Sequence, residues 1–432
     1  VQPSFGSVIL GFTALAGAEL LSVQTGRPYL PHDHAAIQYS TGPTRDAVAR
    51  LNERLEKGEL QLAFDPMPRG YLRSVLETLD IRPSSQTLVF SENSLQRAHI
   101  NKAKPRAIYF NDSVAVGWAN GADSLEVAAQ DPTQGVIFYS IPQKPQPRPR
   151  FARSSECLQC HLTGETIGVP GLFTMSILPL SDNQNEYARG WAMDDRTPIE
   201  DRWGGWYVTG AQVPVRHLGN VPVSHVPRSY VRADAAPKLS IGTGAFDTTA
   251  YLTPYSDVVA LLVLNHQTHA SNLLTRLGWE ARLAASSGSP SGSARGATSP
   301  SALRDLAREL VDYLLFIDEA PLPSAVEGSS SFAQDFSARG PRDSKGRSLR
   351  DFDLTRRLLR YPCSHMIYSE AFDALPAAAK SSVYERLWEV LSGKEPDKVY
   401  LRLSVADRRA IIEILRETKK DLPEYFRTDA LR

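Results

Sequence analysis

Cys157-Leu158-Gln159-Cys160-His161 restricts this chain of 432 residues more than any other feature. Two cysteines three positions apart, with a histidine directly after the second, form the attachment signature of c-type haem. The chemistry requires that spacing: each thiol adds across one vinyl group of the porphyrin, and the next residue presents an imidazole to the iron. A chain that uses the signature is matured outside the cytoplasm, so a periplasmic or otherwise extracytoplasmic location is expected. It must also arrange its fold around a flat prosthetic group.

Two other readings compete. Cys157, Cys160, Cys363 and His365 have an acceptable ligand count for a Cys₃His zinc site. A CxxC pair can also be a redox dithiol, but no βαβ pattern surrounds this one. With only three cysteines in the chain, a disulfide framework is excluded. Cys363, which follows Pro362 at a helix start, is expected to be a buried, inert thiol.

The composition is that of a globular protein, with 42% hydrophobic and 22% charged residues. Acidic and basic residues balance at 48 each, so bulk charge offers no argument for a nucleic-acid partner. The length allows two or three compact units. Residues 8–21 (VILGFTALAGAELL) form an apolar run that reads first as a packed helix, with a membrane-lying anchor and an uncleaved signal as alternatives.

Hydrophobic periodicity predicts an α+β chain. Residues 1–36 form an N-terminal segment and 37–150 an α+β unit. Helices are expected over 44–58 and 70–80, followed by an antiparallel sheet from 87–90, 107–110, 114–118, 125–129 and 136–141. The proline-rich strap 142–150 (PQKPQPRPR) leads into a loop-rich haem segment, 151–254. Residues 255–432 read as helical, with helices over 256–283, 302–318, 352–360, 364–375, 377–392 and 404–419 and a low-complexity loop at 284–301. Ser404 and Asp407 form a capping-box variant.

His161 is the expected proximal ligand. The opposite face of the iron separates carrier from catalyst, because a second strong ligand gives electron transfer and an open position permits peroxide or oxygen chemistry. Met175, His217, His266 with its neighbour His269, His225, and the pair His32 and His34 are the candidates. His217, on a polar turn-prone segment with ample chain to wrap the ring, ranks first. The glycine-separated aromatics Trp203, Trp206 and Tyr207 suit a flat partner such as a haem edge. Arg202 and Arg216 are candidates for the propionates, since guanidinium forks match carboxylates.

Several strings taken together resemble a poorly characterised family of large bacterial monohaem c-type cytochrome-like proteins. They are SSECLQCHLTGETIGVPG, DRWGGWYVTG, RHLGN, LLVLNHQTHASNLLTR, YPCSHMIYSEAFDALP and, nearer the N-terminus, TLVFSENSLQRAHINKAKPRAIYFNDSVAVGW. The resemblance covers roughly residues 37–425. It implies export, one covalent haem c at Cys157, Cys160 and His161, and preference for His217 and His266 over Met175, whose surroundings depart from the pattern. The expected function is electron transfer in the periplasm to a redox partner protein. A place in a membrane, respiratory or photosynthetic assembly is a variant of that reading, with membrane association through residues 8–21. The alternative is a peroxidase- or oxygenase-like haem enzyme with an open distal site lined by the aromatics.

Overall fold

Along residues 124–131 the side chains alternate, with Leu125, Val127 and Ala129 buried in one core while Glu126 and Gln130 face the other way. Residues 135–142 repeat the pattern, and the two strands pair antiparallel over their full length. The Asp131 carboxylate accepts the backbone N–H groups of Thr133 and Gln134, and Gly135 takes a φ of 89°, which closes the hairpin.

The computed structural model describes residues 29–91, 93–177, 190–220, 246–286 and 300–427. The apolar run 8–21, His225 and residues 287–299 of the low-complexity loop lie outside the described residues. The chain is α+β. Helices α1 (Ala47–Glu56) and α2 (Leu72–Thr78) precede strands β1 (Thr87–Val89), β2 (Arg106–Phe110), β3 (Val114–Trp118), β4 (Ser124–Asp131) and β5 (Gly135–Pro142). Then come β6 (Ala152–Arg153), the short helix α3 (Leu158–His161), β7 (Thr174–Ile177), β8 (Gly190–Met193), β9 (Trp206–Tyr207) and β10 (Gly210–Gln212). The C-terminal part holds α4 (Val258–Ser286), α5 (Pro300–Leu314), β11 (Glu327–Gly328), α6 (Phe332–Ala338), α7 (Glu370–Asp373), α8 (Ala377–Leu391) and α9 (Val405–Thr418).

The main sheet is antiparallel with order β6-β5-β4-β3-β2-β1-β9. Both edge strands come from beyond residue 150, so the sheet crosses the boundary expected at the proline strap. One face packs on α1 and α2. Part of the other face, including Phe110, packs with Trp203, Trp206 and the first turns of α4.

Helix α4 organises the rest. The Asp257 carboxylate accepts from the backbone N–H of Val259 and Ala260 and so caps its start. The helix is buried on nearly all sides and touches each of the three large apolar clusters. Its polar residues Asn265, His266, Asn272 and Arg276 must therefore find partners inside the protein, because each buried unpaired group costs about 1–3 kcal/mol. Those obligatory partnerships position the candidate site.

Two expected helices differ. Residues 352–360 form a turn closed by a Phe352–Leu359 bridge. The Asp353 carboxylate accepts from the backbone of Thr355 and Arg356 there, a local bond that competes with helix. Residues 364–375 divide into a 3₁₀ turn, His365–Tyr368, and α7, because Ser369 caps a new start by accepting from Phe372 N–H. The Ser404–Asp407 capping box is present. Among the described residues, no helix is long and apolar enough to cross a membrane.

Candidate functional site

Helix α3 carries the pentapeptide. Cys157 stands at its N-cap position, and the backbone N–H of His161 bonds to the Cys157 carbonyl at 2.9 Å. One helical turn thus holds both thiols and the imidazole. Cys160 is exposed and Cys157 half-buried, and both are free thiols. Cys157 and Leu158 lean on Ala128, Val136 and Phe138 of β4 and β5, with Leu172 completing a small apolar platform. Burial raises the Cys157 thiol pKa, opposed by a bond from its sulfur to Ser154.

The histidine is held from the far side of a tight loop. His161 Nδ1 lies 3.0 Å from the Gly171 carbonyl oxygen, and the Gly171 N–H returns a 3.0 Å bond to the His161 carbonyl. A carbonyl only accepts, so Nδ1 carries the proton and Nε2 keeps its lone pair. The ring sits 4.9 Å from that of Phe138 and 5.5 Å from that of Phe173. Part of the side chain reaches solvent, but the packing around it pushes its pKa down to about 4. The Gly171 bond opposes that shift and the charge of Arg106 adds to it. At neutral pH the imidazole is therefore uncharged, the form that binds a metal.

Arg106 belongs to an ion pair with Glu126 on the sheet face beside α3. Both charges act on Cys157 as well.

The sixth-ligand candidates fare differently. His266 is fully buried and has both nitrogens committed: Nδ1 to Asp195 Oδ2 at 2.8 Å and Nε2 to Ser364 Oγ at 2.6 Å. It also stacks on Tyr313 and on Phe316. No lone pair remains for iron, which corrects its place among the candidates. Its neighbour His269 is half-buried and meets the Tyr313 ring edge-on at 4.8 Å.

His217 is buried against Trp203, with ring centroids 5.4 Å apart. Its Nδ1 accepts the Gly219 N–H, so the neutral ring carries its proton on Nε2. Offering Nε2 to a metal would require surrendering that bond. Burial pushes its pKa down to about 4. Met175 is half-buried in β7, whose neighbours Thr174 and Ser176 face the core and bond to Asn265 and Gly204. By strand alternation its side chain takes the outward face. His32 and His34 lie on the surface, where His34 Nδ1 accepts the Ala36 N–H.

The aromatic segment is core. Trp203 Nε1 donates to Asn265 Oδ1, Trp206 Nε1 to the Met175 carbonyl and the Tyr207 hydroxyl to the Lys102 carbonyl. All three side chains are buried. The flat partner that the glycines admit is the β7 backbone, since a Cβ at Gly204 would overlap the Ile177 carbonyl. Arg202 is buried and donates to the carbonyls of Thr197 and Asp195, which commits its guanidinium away from any propionate. Arg216 is exposed.

The zinc alternative is not assembled. Cys363 is fully buried among the C-terminal helices, whereas Cys157 rests on the sheet. Among the described residues, no three His, Cys, Asp or Glu side chains gather to hold a metal ion.

Sequence reasoning missed Gly171, Asn272, Asp195 and Ser364. The legible signal was polar residues inside the apolar helix pattern LLVLNHQTHASNLL, but their partners lie far along the chain. Asp195–His266–Ser364 has the connectivity of a hydrolase triad, yet Ser364 is fully buried and its Oγ also accepts the Met366 N–H as a turn cap. The three residues fasten the β8 loop to α4 and to the 364 turn.

No known family matches the chain, and no curated protein or solved structure does either.

Proposed function

We propose that the protein is an extracytoplasmic electron-transfer protein of the c-type cytochrome kind, with one haem c joined to Cys157 and Cys160 and its iron ligated by His161. The observation that carries the reading is the His161–Gly171 bond. In a metal-ligating histidine the second nitrogen is normally tied to a carbonyl or carboxylate, which fixes the tautomer and ring orientation. Here Nδ1 is tied so, directly after a CxxC pair with two free thiols in one helical turn. The apolar cluster of Ala128, Val136 and Phe138 beneath Cys157 and Leu158 anchors the turn that presents the thiols.

When bound, haem c supplies a one-electron iron couple. The thiols would anchor the group and His161 would offer it Nε2, while the Gly171 carbonyl holds the Nδ1 proton and Phe138 and Phe173 pack against the imidazole. For the sixth position Met175 takes precedence over His217 and His266, because its side chain is the one not committed to a hydrogen bond in the core. Membership of the monohaem family suggested by the sequence strings, a redox partner protein and a place in a membrane assembly all belong to this same proposal.

The buried, hydrogen-bonded aromatics give the enzyme alternative no distal lining. The discriminating experiment is a redox titration of exported protein, with azide and cyanide added to the oxidised form. A reversible one-electron couple with low-spin iron that resists both ligands supports the carrier. A high-spin iron that binds them at once supports the enzyme. Loss of the low-spin spectrum in Met175→Ala, and its survival in His217→Ala, would support Met175 as sixth ligand.

A further inference from the structure

The carbonyl that receives the His161 proton is itself held by a residue of the central helix. Asn272, buried on α4, accepts the Leu172 N–H through Oδ1 at 3.2 Å and donates Nδ2 to the Leu172 carbonyl at 2.7 Å. These two bonds fix the amide orientation and hold Leu172 by both backbone groups, its N–H being part of the peptide that carries the Gly171 carbonyl, across 100 positions of sequence. The preceding residue, Gly171, passes so close that a Cβ there would overlap Asn272 Oδ1. One residue earlier still, the Pro170 carbonyl accepts the Val136 N–H of β5 at 3.1 Å. The backbone from Pro170 to Leu172 is therefore clamped between sheet and helix, with His161 bonded to its middle.

We infer that Asn272 is a positioning residue for His161: it holds the 171–172 backbone so that the Gly171 carbonyl fixes the Nδ1–H tautomer and leaves Nε2 available as the metal donor. The inference rests on the haem reading for its purpose, but the clamp acts on the haem-free protein too. The other anchors of the loop act away from the 171–172 peptide: Arg276 of α4 donates to the Ile167 carbonyl at 3.0 Å. The remaining backbone bonds of residues 162–169 are among themselves, to Leu158 and to Leu30, and the Gly171 N–H is spent on the His161 carbonyl.

The direction of the effect on a bound iron follows. A strong bond from Nδ1–H to a fixed carbonyl raises the basicity of Nε2. A more basic ligand favours the oxidised iron. Loosening the carbonyl therefore weakens donation and raises the reduction potential.

The test uses the full chain in two forms. In haem-free protein with ¹⁵N-labelled histidine, wild type should show His161 as the Nδ1–H tautomer. Asn272→Leu, which keeps the volume and removes both bonds, should move the ring toward the Nε2–H tautomer. In haem-loaded protein the same variant should raise the potential, by up to about tenfold in the one-electron equilibrium, or 59 mV. If Asn272→Leu does not fold, Asn272→Ala, which also removes both bonds, replaces it, and the same tautomer change is expected. A folded variant with an unchanged tautomer and unchanged potential overturns the inference. A wild type that attaches no haem overturns the functional reading, while the tautomer measurement still decides the clamp.

Discussion

His161 and Gly171 bond to each other twice, side chain to carbonyl and carbonyl to N–H, each at 3.0 Å. The reciprocal pair closes the loop that follows the CxxCH pentapeptide and sets which imidazole nitrogen carries the proton. The helical turn that carries the two thiols, the imidazole tautomer and the backbone leading into β7 all meet at this pair.

Neutral buried histidines make stability depend on pH. His161 and His217 are both pushed down to about 4 by burial, against 6.5 unperturbed. Between these values the unfolded chain binds more protons than the folded one, so stability falls as pH drops from about 6.5 to about 4. Glu319, pushed up to about 7 by burial, has the opposite sign between its ordinary 4.5 and that value. The clean comparison is therefore wild type against His217→Phe in urea melts at several pH values. The wild type should lose about 3 kcal/mol more than the variant on going from pH 7 to pH 4. Parallel losses would exclude a neutral buried His217.

The Asp195–His266–Ser364 network should behave as structure. Burial raises the Asp195 pKa, but the His266 contact outweighs it and the carboxyl ends below its usual range. Removing the carboxylate leaves the buried His266 Nδ1 without its partner, so Asp195→Ala should cost about 1–3 kcal/mol. Ser364→Ala, which unpairs His266 Nε2 and the Met366 N–H, should cost about 1–3 kcal/mol. A fluorophosphonate should leave the folded protein unlabelled, as Ser364 has no exposed surface. Labelling at Ser364 would reveal an accessible nucleophile instead.

The three thiols should separate by reactivity in haem-free protein. Cys160 is exposed, Cys157 is half-buried with a raised pKa, and Cys363 is fully buried with its thiol pushed up to about 12. Iodoacetamide at mildly alkaline pH should alkylate Cys160 first, Cys157 more slowly and Cys363 only after unfolding. Mass spectrometry of the peptides gives the order directly. Early modification of Cys363 would contradict its burial.

The sequence made some of this arrangement legible and hid the rest for identifiable reasons. Strands β1 to β5 were readable because alternation along them is local, and Ser404 with Asp407 announced the start of α9 within four positions. The single helical turn of the pentapeptide places both thiols and the imidazole together, as its spacing led one to expect. The WGGW aromatics were misread as cofactor contacts. Composition cannot tell a flat porphyrin from the flat backbone of β7, against which Gly204 packs. His217 and His266 stood out as histidines, but whether a ring nitrogen is free depends on Gly219, Asp195 and Ser364. Asn272 offered no local clue that its partner would be Leu172.

Covalent haem attachment decides the central claim. The chain should be exported in a host with c-type haem maturation machinery, denatured, and its intact mass read beside an in-gel haem stain. Wild type should gain the mass of one haem and stain, while the Cys157→Ser, Cys160→Ser double variant should do neither. A folded wild-type chain that emerges from that host at its bare polypeptide mass, without a stain, would contradict the reading.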